Sequence, residues 1–176
     1  EIAVMTPRAD VPAPTLSIAE ASAAVAELLA DANVIVAVAD ETRALALTRM
    51  VAALVPDATT MFCPGSDALP GDNAPASPAN VGQRVSALRA IRRALEAEAP
   101  GRIALITSGE ALARAYPAPA AFDAEPPSVA VGQPCDLAQL HDDLLSLGYV
   151  ADERVDEPGE VAPRGQVLDV FPADSD

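Results

Sequence analysis

The chain has 176 residues, of which 51% are hydrophobic, and it has three Phe, two Tyr and no Trp, so we expect a core of small aliphatic side chains. This length fits one large α/β domain or two small ones. The formal net charge is −15, every basic residue is arginine, and there is no lysine. Autonomous nucleic-acid binding is therefore not expected, because it relies on Lys and Arg contacts with phosphates. A P-loop is excluded, because it needs a lysine on the nucleotide phosphates.

Short apolar runs rich in β-branched residues alternate with segments of helical pattern over the first two thirds of the chain. Runs of this kind are typical of strands buried on both faces. The predicted elements are, in chain order, an extended segment over 1–15, a helix over 18–30, a strand over 34–39, a helix over 41–55, a strand over 59–63, an irregular stretch over 64–80, a helix over 81–98, a strand over 103–107 and a short helix to about 115.

Polar residues that can cap helices precede three of the predicted helices. Ser17 and Glu20 form the pattern of a capping box. Asp40 or Thr42 is expected to cap the second helix, and Ser108 the short one. The helix over 81–98 is expected to bury one apolar face, made of Val81, Val85, Leu88, Ile91 and Leu95. Its basic residues are expected to form a solvated face; they are Arg84, Arg89, Arg92 and Arg93.

The alternation of strands and helices predicts a parallel sheet. Parallel sheets bind ligands at the carboxyl ends of their strands. Of the three expected strand ends, only Ser108-Gly109 resembles a turn that could bind a phosphate at a helix amino terminus. A tight turn explains the same two residues equally well.

Cysteine and histidine are too sparse to predict a metal or cofactor site. Cys63 and Cys135 are far apart and without partners at metal-ligand spacing, so we expect both to be reduced and at least one to lie in a strand. His141 is expected on the surface of a helix. No apolar run approaches the roughly 20 residues of a membrane span and no leader pattern is present, so the sequence predicts a cytoplasmic protein.

The composition changes to a Pro- and Ala-rich stretch over 116–127, which is a candidate domain boundary. The elements predicted beyond it are a strand over 129–131, a helix capped by Asp136 with Leu137, Leu140, Leu144 and Leu147 in a stripe, a helix end at Gly148, a turn over 155–160 and a half-buried strand over 166–172. This last strand looks like part of an unfinished antiparallel sheet, so the chain is expected to be a fragment.

Three collinear segments carry a resemblance to a known family. They are residues 63–72 (CPGSDALPGD), residues 83–88 (QRVSAL), and residues 148–149 followed by 154–172 (RVDEPGEVAPRGQVLDVFP). Together they resemble the amino-terminal region of transcription-repair coupling factors (Mfd), and the last segment is long and specific. The resemblance covers roughly residues 30–176, and the same architecture is shared with the excision-nuclease subunit UvrB.

The resemblance implies an α/β fold of two parts: a degenerate helicase-like parallel-sheet lobe over 1–124 and a small α/β domain of the UvrA-interaction type over 125–176, possibly truncated. It implies a non-catalytic region that recruits the repair protein UvrA to stalled transcription complexes. The implied parent protein is a bacterial ATP-dependent DNA translocase, whose own motor and carboxyl-terminal domains would be further partners.

The resemblance also assigns the UvrA contacts to Arg154 and Arg164. These are the only arginines after Arg114, in a strongly acidic segment. From the residues alone they are either partners of Asp156, Glu157 and Glu160 in salt bridges within the chain or part of an interface; the resemblance favours the interface. Departures from the family pattern at Val161, Ala162 and Pro163 imply weaker or altered UvrA binding.

The sequence leaves three alternatives open. One is a divergent standalone adaptor, which is a variant of the leading hypothesis. Another is a small α/β domain that binds a nucleotide or a phosphorylated metabolite at Ser108-Gly109. The third is direct recognition of DNA damage, which would require a hairpin with an aromatic residue at its tip. Residues 64–80 contain no aromatic side chain, so the sequence disfavours this function.

Overall fold

The structure, a computed structural model, describes residues 2–3, 16–68, 75–98 and 101–175. These residues fall into two compact units. The first comprises Glu1–Gly65 and Ala87–Pro117, and the second comprises Ser66–Ser86 and Ala118–Asp176. The predicted division into domains over 1–124 and 125–176 stays a prediction. The two compact units are divided differently, since residues 66–86 belong to the second unit. Most of the extended segment predicted over 1–15 lies outside the described residues, as do positions 69–74 of the irregular stretch.

The first unit is built on a parallel four-stranded sheet, as the alternating pattern predicts. Its strand order is β1-β2-β4-β3, and all neighbouring pairs are parallel. The strands are β1 (Ile2–Ala3), β2 (Asn33–Val38), β3 (Thr59–Cys63) and β4 (Ile103–Ser108). The three longer strands match the predicted ones to within a residue at each end, and β1 adds a short edge strand.

Helices α1 (Ile18–Asp31) and α2 (Glu41–Leu54) form the main core of the first unit with β2 and β4. Their buried residues recur at helical spacing, so that Leu29, Leu47 and Val51 contact Val34 and the fully buried Ile106. A second, smaller cluster joins Met61, Cys63 and Ile103 to Ala87. The core is therefore made of small aliphatic side chains, as the composition indicates.

The predicted helix caps are confirmed. The Ser17 hydroxyl accepts a hydrogen bond from the Glu20 N–H at 3.2 Å, and the Glu20 carboxylate accepts from the Ser17 N–H at 2.8 Å, which completes the capping box. Asp40, rather than Thr42, caps α2 through the Arg43 N–H at 2.8 Å. Ser108 caps the short helix α4 (Gly109–Ala113) through the Ala111 N–H.

We expect Ser17→Ala to lower the free energy of unfolding by about 1 kcal/mol at neutral pH, because it removes the α1 cap. The hydrogen bonds from the Ser17 hydroxyl and then from its N–H lower the pKa of Glu20. Since the pKa of Glu20 is lower in the folded chain, the stability that its ionised carboxylate contributes is complete above the ordinary glutamate pKa of about 4.3. This contribution is lost as pH falls through the folded pKa. Urea titrations across this pH range measure the contribution, and Glu20→Gln should remove the pH dependence that Glu20 causes.

Helix α3 (Pro78–Glu96) differs from its prediction in the face that it buries. The smaller core cluster is contacted by Ala87, Ala90, Ile91 and Ala94, whereas Val81, Val85 and Leu95 are exposed. The predicted stripe of larger side chains is therefore wrong for three of its five members. Three of the four α3 residues in this cluster are alanines, whose small side chains allow a helix to approach a sheet closely. Residues 78–86 of this helix belong to the second unit.

The second unit contains helix α5 (Leu137–Ser146), a 3-10 turn (Pro119–Phe122) and a three-stranded sheet in the order β5-β6-β7. Its strands are β5 (Val150–Ala151), β6 (Glu160–Arg164) and β7 (Val167–Val170), with β5 parallel and β7 antiparallel to β6. The first half of α3 packs within this unit, where a Cβ on Gly82 would lie 2.5 Å from the Ala173 Cβ. The sequence predicted β7 but neither β5 nor β6.

Helix α5 begins and ends where the sequence predicts. The Asp136 carboxylate accepts from the N–H groups of Ala138 and Gln139, and Gly148 adopts a φ of +99°. The Tyr149 N–H donates to the Leu144 carbonyl at 3.1 Å, which completes a Schellman motif. Leu144 is the buried member of the predicted stripe, whereas Leu147 is exposed, because it is already the cap residue of the helix.

The strand predicted over 129–131 is wrong. Val129 and Val131 are exposed, and the Gln133 N–H donates to the Ala130 carbonyl in a turn around Gly132, whose φ is +82°. Three apolar residues in a row favour a strand only if a neighbouring strand pairs with them, and a glycine with positive φ one residue later ends the extended backbone instead.

Candidate docking site

A hairpin in the second unit positions Arg164. Strands β6 and β7 are joined by the two-residue turn Gly165-Gln166, and Arg164 pairs with Val167 at its base. Gly165 has a φ of +64°, which a two-residue hairpin turn requires at its first position and which only glycine adopts without strain. Because Ala162 pairs with Asp169 two residues further from the turn, the side chains of Arg164 and Asp169 project from the same face of the sheet.

A loop between β5 and β6 carries Arg154, and two carboxylates give the loop its shape. The Asp152 carboxylate accepts from the N–H groups of Glu153 at 2.6 Å and Arg154 at 3.3 Å. The Glu160 carboxylate accepts from the N–H groups of Asp156 at 2.7 Å and Glu157 at 2.8 Å. Asp152 and Glu160 therefore order the backbone of this loop and also give it negative charge.

The structure brings Arg154 and Arg164 to neighbouring positions. The Arg164 Nη2 donates to the Glu153 carbonyl at 3.0 Å, so its guanidinium reaches the residue next to Arg154. Arg154 pairs with Asp156 at 2.8 Å, and the Arg164 Nε lies 3.4 Å from Asp169. Both arginine side chains remain largely exposed, at 76% and 54% respectively. The two interpretations of these arginines are thus compatible, since each has a partner within the chain and each is accessible.

Sequence reasoning named Asp156, Glu157 and Glu160 as possible partners of the arginines, but the structure pairs only Asp156 directly with one of them among the described contacts. It missed Asp169 and the Glu153 carbonyl. A signal for Asp169 was present, because it is the polar residue of an alternating strand and therefore projects from the face opposite its apolar neighbours. The backbone carbonyl has no sequence signal.

The carboxyl edge of the first unit's sheet is acidic, which disfavours a phosphate at Ser108-Gly109. The Gly65 N–H donates to the Glu41 carboxylate at 2.7 Å. A Cβ placed on Gly65 would lie 2.4 Å from a Glu110 carboxylate oxygen and 3.1 Å from the Ser108 hydroxyl. Two carboxylates therefore lie beside the turn where a phosphate would have to bind, and like charges repel. Arg114 pairs with Glu110 at 2.7 Å, so the charge of Glu41 is the main source of this repulsion.

The cysteines and the histidine lie outside the arginine site. Cys63 is buried in β3 and Cys135 is exposed, and neither is in a disulfide, so the predicted pair of reduced cysteines with one in a strand is confirmed. His141 is not the surface residue expected, since its side chain is only 21% exposed and its Nε2 is buried. The reason is its position one helical turn before the buried Leu144, on the face that α5 turns to β6 and β7. Within the described ranges, no three His, Cys, Asp or Glu side chains are grouped as metal ligands.

The predicted solvated face of arginines on α3 is wrong for Arg84. This side chain donates to the Asn80 carboxamide oxygen, and its Nε is buried. Partial burial raises the pKa of the nearby Asp67, but hydrogen bonds from Ser77 and the charge of Arg84 outweigh this effect and lower it. Arg84 therefore belongs to the internal polar contacts of the second unit, while Arg92 forms an ion pair with Glu96 at 2.6 Å.

Comparison with known proteins finds a similarity in the segment that carries both arginines. Residues 128–176 match the family described as UvrB interaction domain. The match includes α5, the loop with Arg154 and the β6–β7 hairpin with Arg164. No curated protein matches the chain. In the described part of the chain, no helix has both the length and the apolar character needed to span a lipid bilayer.

Proposed function

We propose that this chain is a docking module for the repair protein UvrA in nucleotide excision repair. The family match over residues 128–176 is the observation that carries the proposal, because both candidate arginines lie inside the matched segment. The contact surface is the face formed by Arg154, Arg164 and the acidic residues around them.

The chemistry of this surface suits a protein partner that presents carboxylates. Arginine offers a planar fork of donors for a carboxylate and loses less on desolvation than lysine. The chain as a whole is acidic, with a net charge of −15, so the two cations stand in surroundings that repel other acidic surfaces. An interaction through them is therefore selective for a partner whose carboxylates reach both guanidinium groups.

We further propose that the parent protein is a transcription-repair coupling factor, in which this non-catalytic region recruits UvrA to stalled transcription complexes. The collinear motifs over 63–72, 83–88 and 154–172 support this assignment. The lack of lysine supports it as well, since the first lobe of a coupling factor carries a degenerate P-loop. ATP-dependent translocation then belongs to motor domains elsewhere in the parent protein.

Replacing both arginines tests the assignment. We expect Arg154→Ala and Arg164→Ala each to weaken binding to UvrA by more than about 1 kcal/mol, as interface arginines commonly do. The measurement is a calorimetric titration of the chain with UvrA. Arg49→Ala, which removes an exposed arginine from α2 in the first unit, is the matched control and should bind as the wild type does. Unchanged binding by the double variant would exclude this surface as the contact.

A further inference from the structure

The two arginines of the docking site differ in how they are held, and this difference indicates a division of labour. Arg154 lies on a loop without regular secondary structure, and its guanidinium pairs with Asp156 of the same loop at 2.8 Å. Arg164 is anchored on a strand, and its guanidinium has one contact with the hairpin and one with the loop. Among the described side-chain contacts, Arg164 ties the first part of the loop to the sheet through Glu153. Glu160, at the start of β6, holds the later part through the N–H groups of Asp156 and Glu157.

Arg164 makes this connection with two different nitrogens. Its Nε lies 3.4 Å from the Asp169 carboxylate on β7, and its Nη2 donates to the Glu153 carbonyl at 3.0 Å. Asp169 stands diagonally across the hairpin from Arg164, at a spacing that only long side chains bridge. The attraction of the Asp169 carboxylate for Nε favours a guanidinium orientation in which Nη2 reaches the loop.

We propose that Arg164, in addition to its own contact with UvrA, acts with Asp169 to hold the 152–156 loop, and with it Arg154, in the conformation that docks UvrA. Asp169 is then a positioning residue, since it acts through Arg164. The proposal rests on the proposed function for the identity of the partner, but the ordering of the loop is a property of the free chain. Arg164→Lys would keep the positive charge but would not hold the loop. One ammonium group on a flexible stem lacks the planar arrangement of donors that reaches both the Asp169 carboxylate and the Glu153 carbonyl.

The absence of lysine makes trypsin a direct probe of the loop, because cleavage is confined to arginines. Cleavage after Arg154 should be faster when the contacts that order this loop are lost, because proteolysis is faster in segments that open more often. In the intact chain without UvrA, Asp169→Asn and Arg164→Lys should each speed cleavage after Arg154 by about five-fold, the equivalent of a surface ion pair of roughly 1 kcal/mol. Cleavage after Arg49 in the first unit serves as the internal reference. Glu27→Gln, which removes one exposed charge from α1, should leave both rates unchanged.

Titration of the same variants with UvrA provides the second readout. Asp169→Asn should weaken binding about five-fold, although its side chain is not itself a docking arginine. The effect of Asp169→Asn should also become small in an Arg154→Ala background, since residues that act through one another are not additive.

The two readouts separate the inference from the proposed function. Cleavage after Arg154 at the wild-type rate in both Asp169→Asn and Arg164→Lys would overturn the positioning role, whatever the affinity for UvrA. Faster cleavage in a chain whose wild type does not bind UvrA would support the ordering of the loop and contradict the proposed partner. The positioning role would also be overturned if Asp169→Asn weakened UvrA binding equally in the wild-type chain and in the Arg154→Ala chain.

Discussion

Leu47→Ala is expected to lower the free energy of unfolding of the first unit by about 2–5 kcal/mol, the range for leucines truncated in a closed core. Leu47 is fully buried on α2, at 0% exposure, in the cluster that includes Val51 and Ile106. The cost has two parts, the lost burial of the side chain and the cavity that remains. The surrounding residues are themselves aliphatic and anchored on α2 and the sheet, so they have little freedom to fill the space.

A leucine on the same helix provides the control. Leu54 ends α2 and is 53% exposed, so Leu54→Ala should cost less than about 1 kcal/mol. Urea denaturation gives the free energies, and hydrogen exchange at the Ile106 amide reports the first unit separately from the second. A loss from Leu47→Ala no larger than that from Leu54→Ala would mean that the core is not closed around α2.

Gly82→Ala is expected to destabilise the second unit by about 1–3 kcal/mol, which is the usual cost of forcing extra volume into a packed site. In an open helical position this substitution is stabilising by up to about 1 kcal/mol. Here the new Cβ would lie 2.5 Å from the Ala173 Cβ and 2.7 Å from its carbonyl carbon and oxygen. Backbone atoms cannot rotate away as a flexible side chain can, so the carboxyl-terminal segment has to shift.

Gly109→Ala makes the matched control, since a Cβ on Gly109 meets no atom within 4 Å. We expect this variant to be neutral or slightly stabilising.

The displacement in Gly82→Ala should also break the hydrogen bond from the Ala173 N–H to the Tyr149 hydroxyl, which is 3.0 Å long. Tyrosine fluorescence in a Tyr116→Phe background reports this contact, because Tyr149 is then the remaining tyrosine. Gly82→Ala with the stability of Gly109→Ala would contradict the packing of α3 against residue 173.

Local interactions made the helices of this fold predictable. Ser17, Asp40, Ser108 and Asp136 cap helices where the sequence places them, because an N-cap depends only on residues within one turn. The three long parallel strands were predictable for a related reason, since burial on both faces produces continuous apolar runs.

Features that depend on distant partners were predicted less well. The sequence pattern of Val129 and Val131 predicts a strand, but no strand in the described part of the chain pairs with them, and a turn forms at Gly132 instead. On α3 the sequence favours the larger apolar side chains for the core, whereas close approach to the sheet selects Ala87 and its neighbours. Strand β6 escaped prediction because Pro163 and Arg164 interrupt its apolar pattern.

The docking site was predictable in its residues but not in its geometry. Arg154 and Arg164 stood out as isolated cations in an acidic segment, and the resemblance assigned them a role. They are brought together by contacts that include the hydrogen bond from Arg164 to the Glu153 carbonyl, and a main-chain acceptor has no signature in sequence. The role of Asp169 likewise depends on the register of the hairpin, which pairs it with Ala162.

Calorimetric titration of the wild-type chain with purified UvrA tests most directly whether the chain docks UvrA through Arg154 and Arg164. We predict saturable binding that is lost in the Arg154→Ala, Arg164→Ala double variant and kept in Arg49→Ala. Binding should weaken as salt is raised, because exposed charges carry it. No heat of binding from a folded wild-type chain, or equal binding by the wild type and the double variant, would contradict docking of UvrA at this surface.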